Sequence, residues 1–485
     1  MSAERKRWWA LYVLCAGELM IVLDTTVVNV ALPSIRMDLG FTESSLVWVV
    51  NAYMVFYGGF LLLGGRLGDL FGHRKLFLAG IALFTAASVV CGLSGTQWLL
   101  VTARAAQGLG GAVVSAIALS LIMDLFTDAG DRARAMGVYG FVCAAGGSIG
   151  VLAGGLLTSA LNWHWVFLVN LPIGIAIWFL CRALIAPDER RSPGTIDLAG
   201  AGTITAGLML AIYAIVNGNA AGWRSVQTLG LLACSLAFFA AFFMVESRVR
   251  APLMPLRLLA RRNLCVAGII GALWCAAMFA WFFLSALDMQ LVLGYDALKI
   301  GLAFLPSNVI MAAFSLGLSA KIVLRFGVRA PIFAGLVLAA AGLAVFALAP
   351  VQASLAWHIL PAMTLLGIGC GMALNPVLLV AMSDAAPDES GLASGVANTA
   401  FMMGGALGLA VLASLAEART AGLLERGTMN EAALAAGYQA AFAVAAGFAL
   451  VAALAAALVR GGSPESKSTE TERRPAWATP SSTGK

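Results

Sequence analysis

Between Arg134 and Arg182 the chain runs for 47 residues without a charged side chain. A membrane-spanning helix needs about 20 apolar residues, so this one interval is long enough for two crossings and the turn between them. Similar intervals recur from end to end, among them Lys75 to Arg104 and Arg329 to Asp384. Charged residues make up 11% of the 485 positions, where a soluble chain would carry about 25%. Most of this length must be buried in lipid, and the chain reads as an all-α polytopic membrane protein.

Fourteen spans are expected, near 8–32, 45–64, 76–95, 98–123, 135–160, 165–186, 196–217, 226–246, 264–287, 299–323, 330–350, 355–382, 391–416 and 439–460. Lys and Arg in the connecting loops set their orientation. With the N-terminus in the cytoplasm, the inner segments carry 24 basic residues and the outer ones five, Arg36, Arg224, Lys299, Arg419 and Arg426. Both termini are therefore expected inside, at the cytoplasmic membrane. The apolar run behind MSAERKRWW is too long for the core of a signal peptide and reads as an uncleaved first span. The net charge of +6 sits in short loops, with no basic face to suit a nucleic acid. The eight cysteines lie in or beside apolar segments without CxxC spacing, and read as small buried hydrophobes.

An internal repeat appears at an offset of 255 residues: RLGDLFGHRKLFLAG (66–80) aligns with KIVLRFGVRAPIFAG (321–335). Phe71, Gly72 and Arg74 meet Phe326, Gly327 and Arg329. The chain then parses into a six-helix half (1–186), two linking helices (187–250), a second six-helix half (251–460) and a polar cytoplasmic tail (461–485) expected to be disordered. Two halves related about the membrane normal are the plan of many secondary transporters, which hold substrate between them at mid-membrane.

Three motifs lie on this frame. The loop GGRLGDLFGHRK (64–75) carries Gly65, Gly68 and Gly72 for a tight turn, with Asp69 and Arg74 able to form a cytoplasmic clasp that opens as the halves rock. A plain positive-inside turn is the equal alternative. RAAQGLGGA (104–112) places Arg104 within a span and Gln107 one turn on. Arg104 either snorkels to the outer surface or is buried, in which case it needs an acidic or carbonyl partner and faces the central cavity. GGSIGVLAGG (146–155) sets Gly146, Gly150 and Gly154 on one helix face, followed by Gly155. Gly404 and Gly408 repeat the spacing in the second half. Such faces pack helices closely, and matched seams in both halves are expected to form the surface on which they move.

LDTTVVNVALPSI, GRLGDLFGHRK, RAAQGLGG, GGSIGVLAGGLLT, WHWVFLVNLPIG and QLVLGYDALKIGLAFLP occur in this order. Together they resemble the major facilitator superfamily, in particular its fourteen-span drug:proton antiporter branch of the EmrB/QacA type. The resemblance implies export of hydrophobic, often cationic, drugs in exchange for protons, with the carboxylate of the first span taking part in proton coupling. The chain departs from that pattern at Gly150-Val151, at Phe401-Met402 and at Asp288, which bears on substrate choice more than on fold.

That carboxylate is Asp24. On a helical wheel Glu18, Thr25 and Asn29 share a face and Asp24 sits at its edge, so the first span has one polar wedge, expected to line a water-accessible cavity. Asp24 or Glu18 would hold the proton on one side of the membrane and release it on the other, in competition with a cationic substrate. Asn29, Arg104 and Gln107 are the other expected cavity residues. A structural Asp bonded to neighbouring helices is the alternative. Met278, Phe279, Trp281, Phe282 and Phe283 would suit a flat apolar cation, although packing is the plainer account.

The expected function is proton-coupled export of hydrophobic drugs or antibiotics by alternating access. The alternative is a dedicated exporter of a single endogenous metabolite, such as an antibiotic made by its own host. No enzyme is expected: His73, His164 and His358 are scattered, no HExxH motif or nucleotide-binding loop occurs, and no metal or cofactor is implied. The partners are a small hydrophobic substrate, protons and the bilayer, with a monomer assumed.

Overall fold

In the computed structural model the described residues are 3–126, 128–187, 197–249, 252, 254, 256–314, 318–383 and 390–459. The tail expected at 461–485 lies outside them, as do 188–196 in the linking segment. All regular structure among the described residues is helical. In chain order the long helices are α1 (Ala3–Leu39), α2 (Glu43–Phe71), α3 (His73–Gly92), α4 (Gln97–Leu125), α5 (Ala129–Ala160), α6 (Trp165–Leu184, interrupted at Val169) and α7 (Leu198–Ala221). There follow α8 (Val226–Arg248), α9 (Arg262–Val292), α10 (Ala297–Ala313), α11 (Arg329–Leu348), α12 (Leu355–Ser383), α13 (Ser390–Leu424) and α14 (Asn430–Ala455).

Twelve helices among the described residues are long and apolar enough to cross a membrane, against the fourteen spans expected from the sequence. The expected fifth and tenth spans are outside that count. α5 is a 32-residue helix, several of whose side chains lie outside the described residues. α10 is 17 residues long and the helix Ser319–Phe326 covers the end of the rod expected at 299–323, while 315–317 between them lie outside the described residues.

The first N–H groups of a helix have no partner within it, and side chains close several of them. Thr42 and Ser45 form a reciprocal capping box at α2, while Thr96, Asp197, Ser225 and Asp296 cap α4, α7, α8 and α10. The turn after α2 depends on Gly72 at φ 97°, and the turn aligned with it in the sequence repeat on Gly327 at φ 72°. A side chain is disfavoured at such angles, so the repeat is one of backbone as well as sequence.

The packing follows the same rule. α1 packs on α4, α5 and α6, as α9 does on α12, α13 and α14. α4 packs on α2 and α3 as α12 does on α10 and α11, and α3 meets α6 as α11 meets α14. Adding eight to a helix number in the first set gives its counterpart in the second. The two most extensive contacts between sets, α2 with α13 and α5 with α10, exchange under the same operation. α7 lies against both α2 and α13, and α8 packs on α7 with most of its length facing outward.

Candidate functional site

The glycines of α4 determine how the site is built. A Cβ on Gly108 would collide with the Tyr53 carbonyl of α2, and one on Gly110 would lie 2.7 Å from the Phe84 nitrogen of α3. α4 therefore sits in backbone contact with both neighbours. That approach carries Arg104 to α2 and Gln107 to α3, and the two residues, three apart, share a helix face.

Asp24 of α1 meets them there. It is 1% exposed, and both its oxygens are occupied. Arg104 Nη1 donates to Asp24 Oδ2 at 2.5 Å, while Gln107 Nε2 and Asn170 Nδ2 donate to Oδ1 at 2.6 and 3.0 Å. Arg104 Nη1 also reaches Gln107 Oε1 at 2.6 Å, and its Nε donates to the Val49 carbonyl at 2.9 Å. The guanidinium lies 4.4 Å from the Tyr53 ring centroid. Ser88 closes the network by accepting from Gln107 at 2.7 Å and donating to the Phe84 carbonyl at 2.8 Å. Five helices, α1, α2, α3, α4 and α6, thus converge on one buried ion pair. A pair taken out of water is tolerable only when it is well hydrogen-bonded, and here both Asp24 oxygens and the Nε and Nη1 of Arg104 have partners.

This arrangement settles the placement of Arg104: it is buried with an acidic and a carbonyl partner and does not snorkel. It also corrects an expectation. Arg104 and Gln107 are 1% and 0% exposed, so they are enclosed among the first six helices and line no open cavity. Asn29 stands apart, half-buried, its amide donating to the Thr25 carbonyl of its own helix at 3.1 Å. The polar wedge of α1 is in fact two faces, with Asp24 turned inward and Thr25 and Asn29 elsewhere. Glu18 is buried about two turns from Asp24, facing Ser115 of α4 and Tyr139 of α5. Its Oε2 has no partner among the described residues.

The glycine seams also face differently from the expectation. Gly146, Gly150 and Gly154 pack α5 on Leu19, Val22, Leu23, Thr26 and Val27 of α1, on either side of Asp24. Gly404 and Gly408 likewise pack α13 on Ala272 and Ala276 of α9. Each seam therefore joins helices of its own set. Among the described glycines of the α5 motif, Gly155 meets the other set: a Cβ there would lie 2.9 Å from the Ala297 carbonyl of α10.

In the loop after α2, a Cβ on Gly68 would crowd Ile117 and His73, whereas Gly65 has open space. Arg74 Nη2 donates to the Arg182 carbonyl at 2.7 Å, tying α3 to the end of α6. The Asp69 side chain lies outside the described residues. His73 Nδ1 lies 2.8 Å from Asp124 Oδ2. Trp281 and Phe282 pack on each other and on Phe304 of α10, so this part of the aromatic wall is helix packing. Asp288 begins a π-helical turn at the end of α9.

Sequence reasoning missed Asn170, Ser88 and His73–Asp124. Asn170 and Ser88 were visible as polar residues within apolar spans; the pairing of His73 with a residue 51 positions away was not.

The model of the Major Facilitator Superfamily matches residues 14–409. The puromycin resistance protein pur8 of Streptomyces alboniger is 38% identical over 461 residues, which are 93% of this chain and 91% of that protein. The cephamycin export protein CmcT of Amycolatopsis lactamdurans is 38% identical over 417 residues, 85% of this chain and 86% of that one. Among solved structures, a bacterial homologue of the human lysosomal transporter Spinster superposes with a TM-score of 0.66 at 17% identity, covering 94% of this chain and 98% of that one. With an all-helical fold, a repeated packing plan and a family match over most of its length, the chain belongs to the major facilitator superfamily.

Proposed function

We propose that the chain is a proton-coupled antiporter that exports hydrophobic small molecules, antibiotics among them, across the cytoplasmic membrane. The observation that carries this reading is the buried Asp24–Arg104 pair. A proton on Asp24 removes the charge that Arg104 neutralises and leaves a guanidinium enclosed without a counterion. Losing one partner of a buried pair costs about 3–5 kcal/mol. One charge crossing 100 mV supplies about 2.3 kcal/mol, a comparable quantity. Protonation thus favours a second arrangement of α1 and α4, in which Arg104 reaches water or other acceptors. Both Asp24 oxygens are filled here, so substrate and proton are coupled through the state of the pair, and not through one vacant carboxylate. Glu18, with an unpartnered oxygen, is the second proton-carrying group.

In this reading α5 and α10 also cross the membrane, giving fourteen spans of the drug:proton antiporter type. α1–α6 and α9–α14 are the two halves, α7 and α8 link them, and both termini are cytoplasmic. Gly65, Gly68, Asp69, Gly72 and Arg74 form the cytoplasmic clasp.

The names of the two relatives favour a second reading. Each names a single antibiotic, which fits a dedicated exporter. Inside-out vesicles with an imposed pH gradient test both. A fluorescent lipophilic cation should accumulate in wild type and should fail to do so with a protonophore or in Asp24→Asn at equal expression. Uphill accumulation by Asp24→Asn would make the pair structural and refute the coupling role. Wild-type vesicles that ignore a panel of dyes, yet take up one antibiotic, would select the dedicated exporter.

A further inference from the structure

α7 and α8 have no counterpart under the rule that maps α1–α6 on to α9–α14. α7 lies at the seam where α2 meets α13 and touches both. Its two contacts differ in chemistry. Toward α13, Asn219 Nδ2 donates to the Ser414 carbonyl at 2.8 Å, to Ser414 Oγ at 3.1 Å and to Glu417 Oε2 at 3.4 Å. Ser414 Oγ donates back to the Ile215 carbonyl at 3.2 Å. Trp223, in the turn between α7 and α8, donates to Asn219 Oδ1 at 3.0 Å and holds the amide in this orientation. At the other end of the hairpin, Glu246 of α8 accepts from the Met254 backbone, in the segment leading to α9, at 3.1 Å.

Toward α2 the contact is smooth. Gly59 sits against Thr205, Leu63 and Ala201 pack with Phe60 and Leu67, and the rings of Trp48 and Tyr213 lie 6.4 Å apart. Among the described residues no hydrogen bond or ion pair joins α7 to α2, and the Thr205 hydroxyl has no partner.

We propose that the α7–α8 hairpin is a fixed part of the C-terminal half and that α2 slides along it when the halves move. The inference rests on the two-half, alternating-access reading above. The Asn219–Ser414 bonds are directional and fix one register between α7 and α13. Apolar side chains, in contrast, exchange one partner for another as helices shift. The bonded face of α7 therefore keeps its register with α13, and the unbonded face is the one that moves.

Spin-label distances in nanodiscs test this without a transport substrate. The exposed Cys234 and Cys265 are first replaced by serine. Labels at Val226→Cys and Arg419→Cys report α8 against α13, Val226→Cys and Ser44→Cys report the hairpin against α2, and Ser44→Cys with Arg419→Cys reports one half against the other. Between acidic and neutral pH, the 226/419 pair is expected to keep one narrow distance while 226/44 and 44/419 change together. A fixed 226/44 distance with a changing 226/419 distance would overturn the assignment. A 44/419 distance that never changes would overturn the two-half reading, and the sliding with it. Cross-linking gives a second readout. A Cβ on Gly59 would lie 3.4 Å from the Thr205 Cβ, close to the spacing of a disulfide. Oxidised Gly59→Cys/Thr205→Cys should lose transport and regain it on reduction; Asn219→Cys/Ser414→Cys joined by a short cross-linker with two thiol-reactive groups should retain it. Retained transport in the oxidised 59/205 pair would refute the proposal.

Discussion

Replacing Arg104 with methionine keeps the apolar stem of the side chain and deletes its charge, together with hydrogen bonds to Asp24, Gln107 and the Val49 carbonyl. Asp24 retains Gln107 and Asn170 as donors but loses its countercharge. The expected loss of stability is about 3–5 kcal/mol, the cost of orphaning a buried charge. Asp24→Asn orphans the guanidinium instead and should cost a similar amount. The double variant Arg104→Met/Asp24→Asn has no charge left to compensate, so only the hydrogen bonds are lost, at about 1 kcal/mol each. The cycle should therefore show a coupling of about 2–3 kcal/mol or more. Reversible unfolding of the purified protein in mixed micelles measures it. Single losses that add to the double loss within about 0.5 kcal/mol would refute the idea that the two charges stabilise each other. The same double variant separates structure from coupling: folded but lacking the titrating pair, it should carry substrate downhill and never concentrate it against a gradient.

Other substitutions probe the packing around the pair. Gly154→Leu drives a side chain into the Val27 carbonyl, which a Cβ would already approach to 2.8 Å, and should cost about 1–3 kcal/mol in the same unfolding assay. Gly65→Ala enters open space within a helix and should leave stability unchanged or raise it by up to about 1 kcal/mol. Gly72→Ala and Gly327→Ala, both at positive φ, should each cost about 1–2 kcal/mol; a large difference between them would mean that the two turns do not share their role. Asn29→Leu should leave the Asp24–Arg104 coupling energy intact, since Asn29 bonds only within its own helix. Gly155→Ala should lengthen the α5–α10 distance measured by spin labels, because α10 backbone occupies the space its methyl needs.

The parts of this fold legible in the sequence are those that depend on local rules. Charge-free runs located the helices, and the loop repeat located a turn whose glycines, 255 residues apart, both have positive φ. Spacing put Arg104 and Gln107 on one face, and the expense of burying an arginine called for an acidic or carbonyl partner. The direction in which Asp24 faces was not legible. A helical wheel ranks residues by angle on one helix, but which angle is enclosed depends on four neighbours that arrive from distant sequence. The GxxxG seam failed for the same reason. Its spacing says that a backbone comes close, and it is silent on whether that backbone is α1 or α10.

α5 occupies a position that joins the ion pair to the contact between helix sets. Its Gly150–Gly154 face lies against Leu23, Thr26 and Val27, directly beside Asp24, and the next residue, Gly155, lies against Ala297 and Leu298 of α10. Protein interiors are packed too closely to absorb a shift without passing it on. Under the proposed coupling, a displacement of α1 on protonation of Asp24 would not be confined to α1, since the missing side chains on α5 leave no compliant layer between the helices. It must move α5, and α5 is in backbone contact with the opposite set. The glycine motif read as a sliding surface is better understood as a rigid coupling. Its glycines bring α5 so close to α1 that, under the proposed coupling, a proton on Asp24 would bear on the α5–α10 seam.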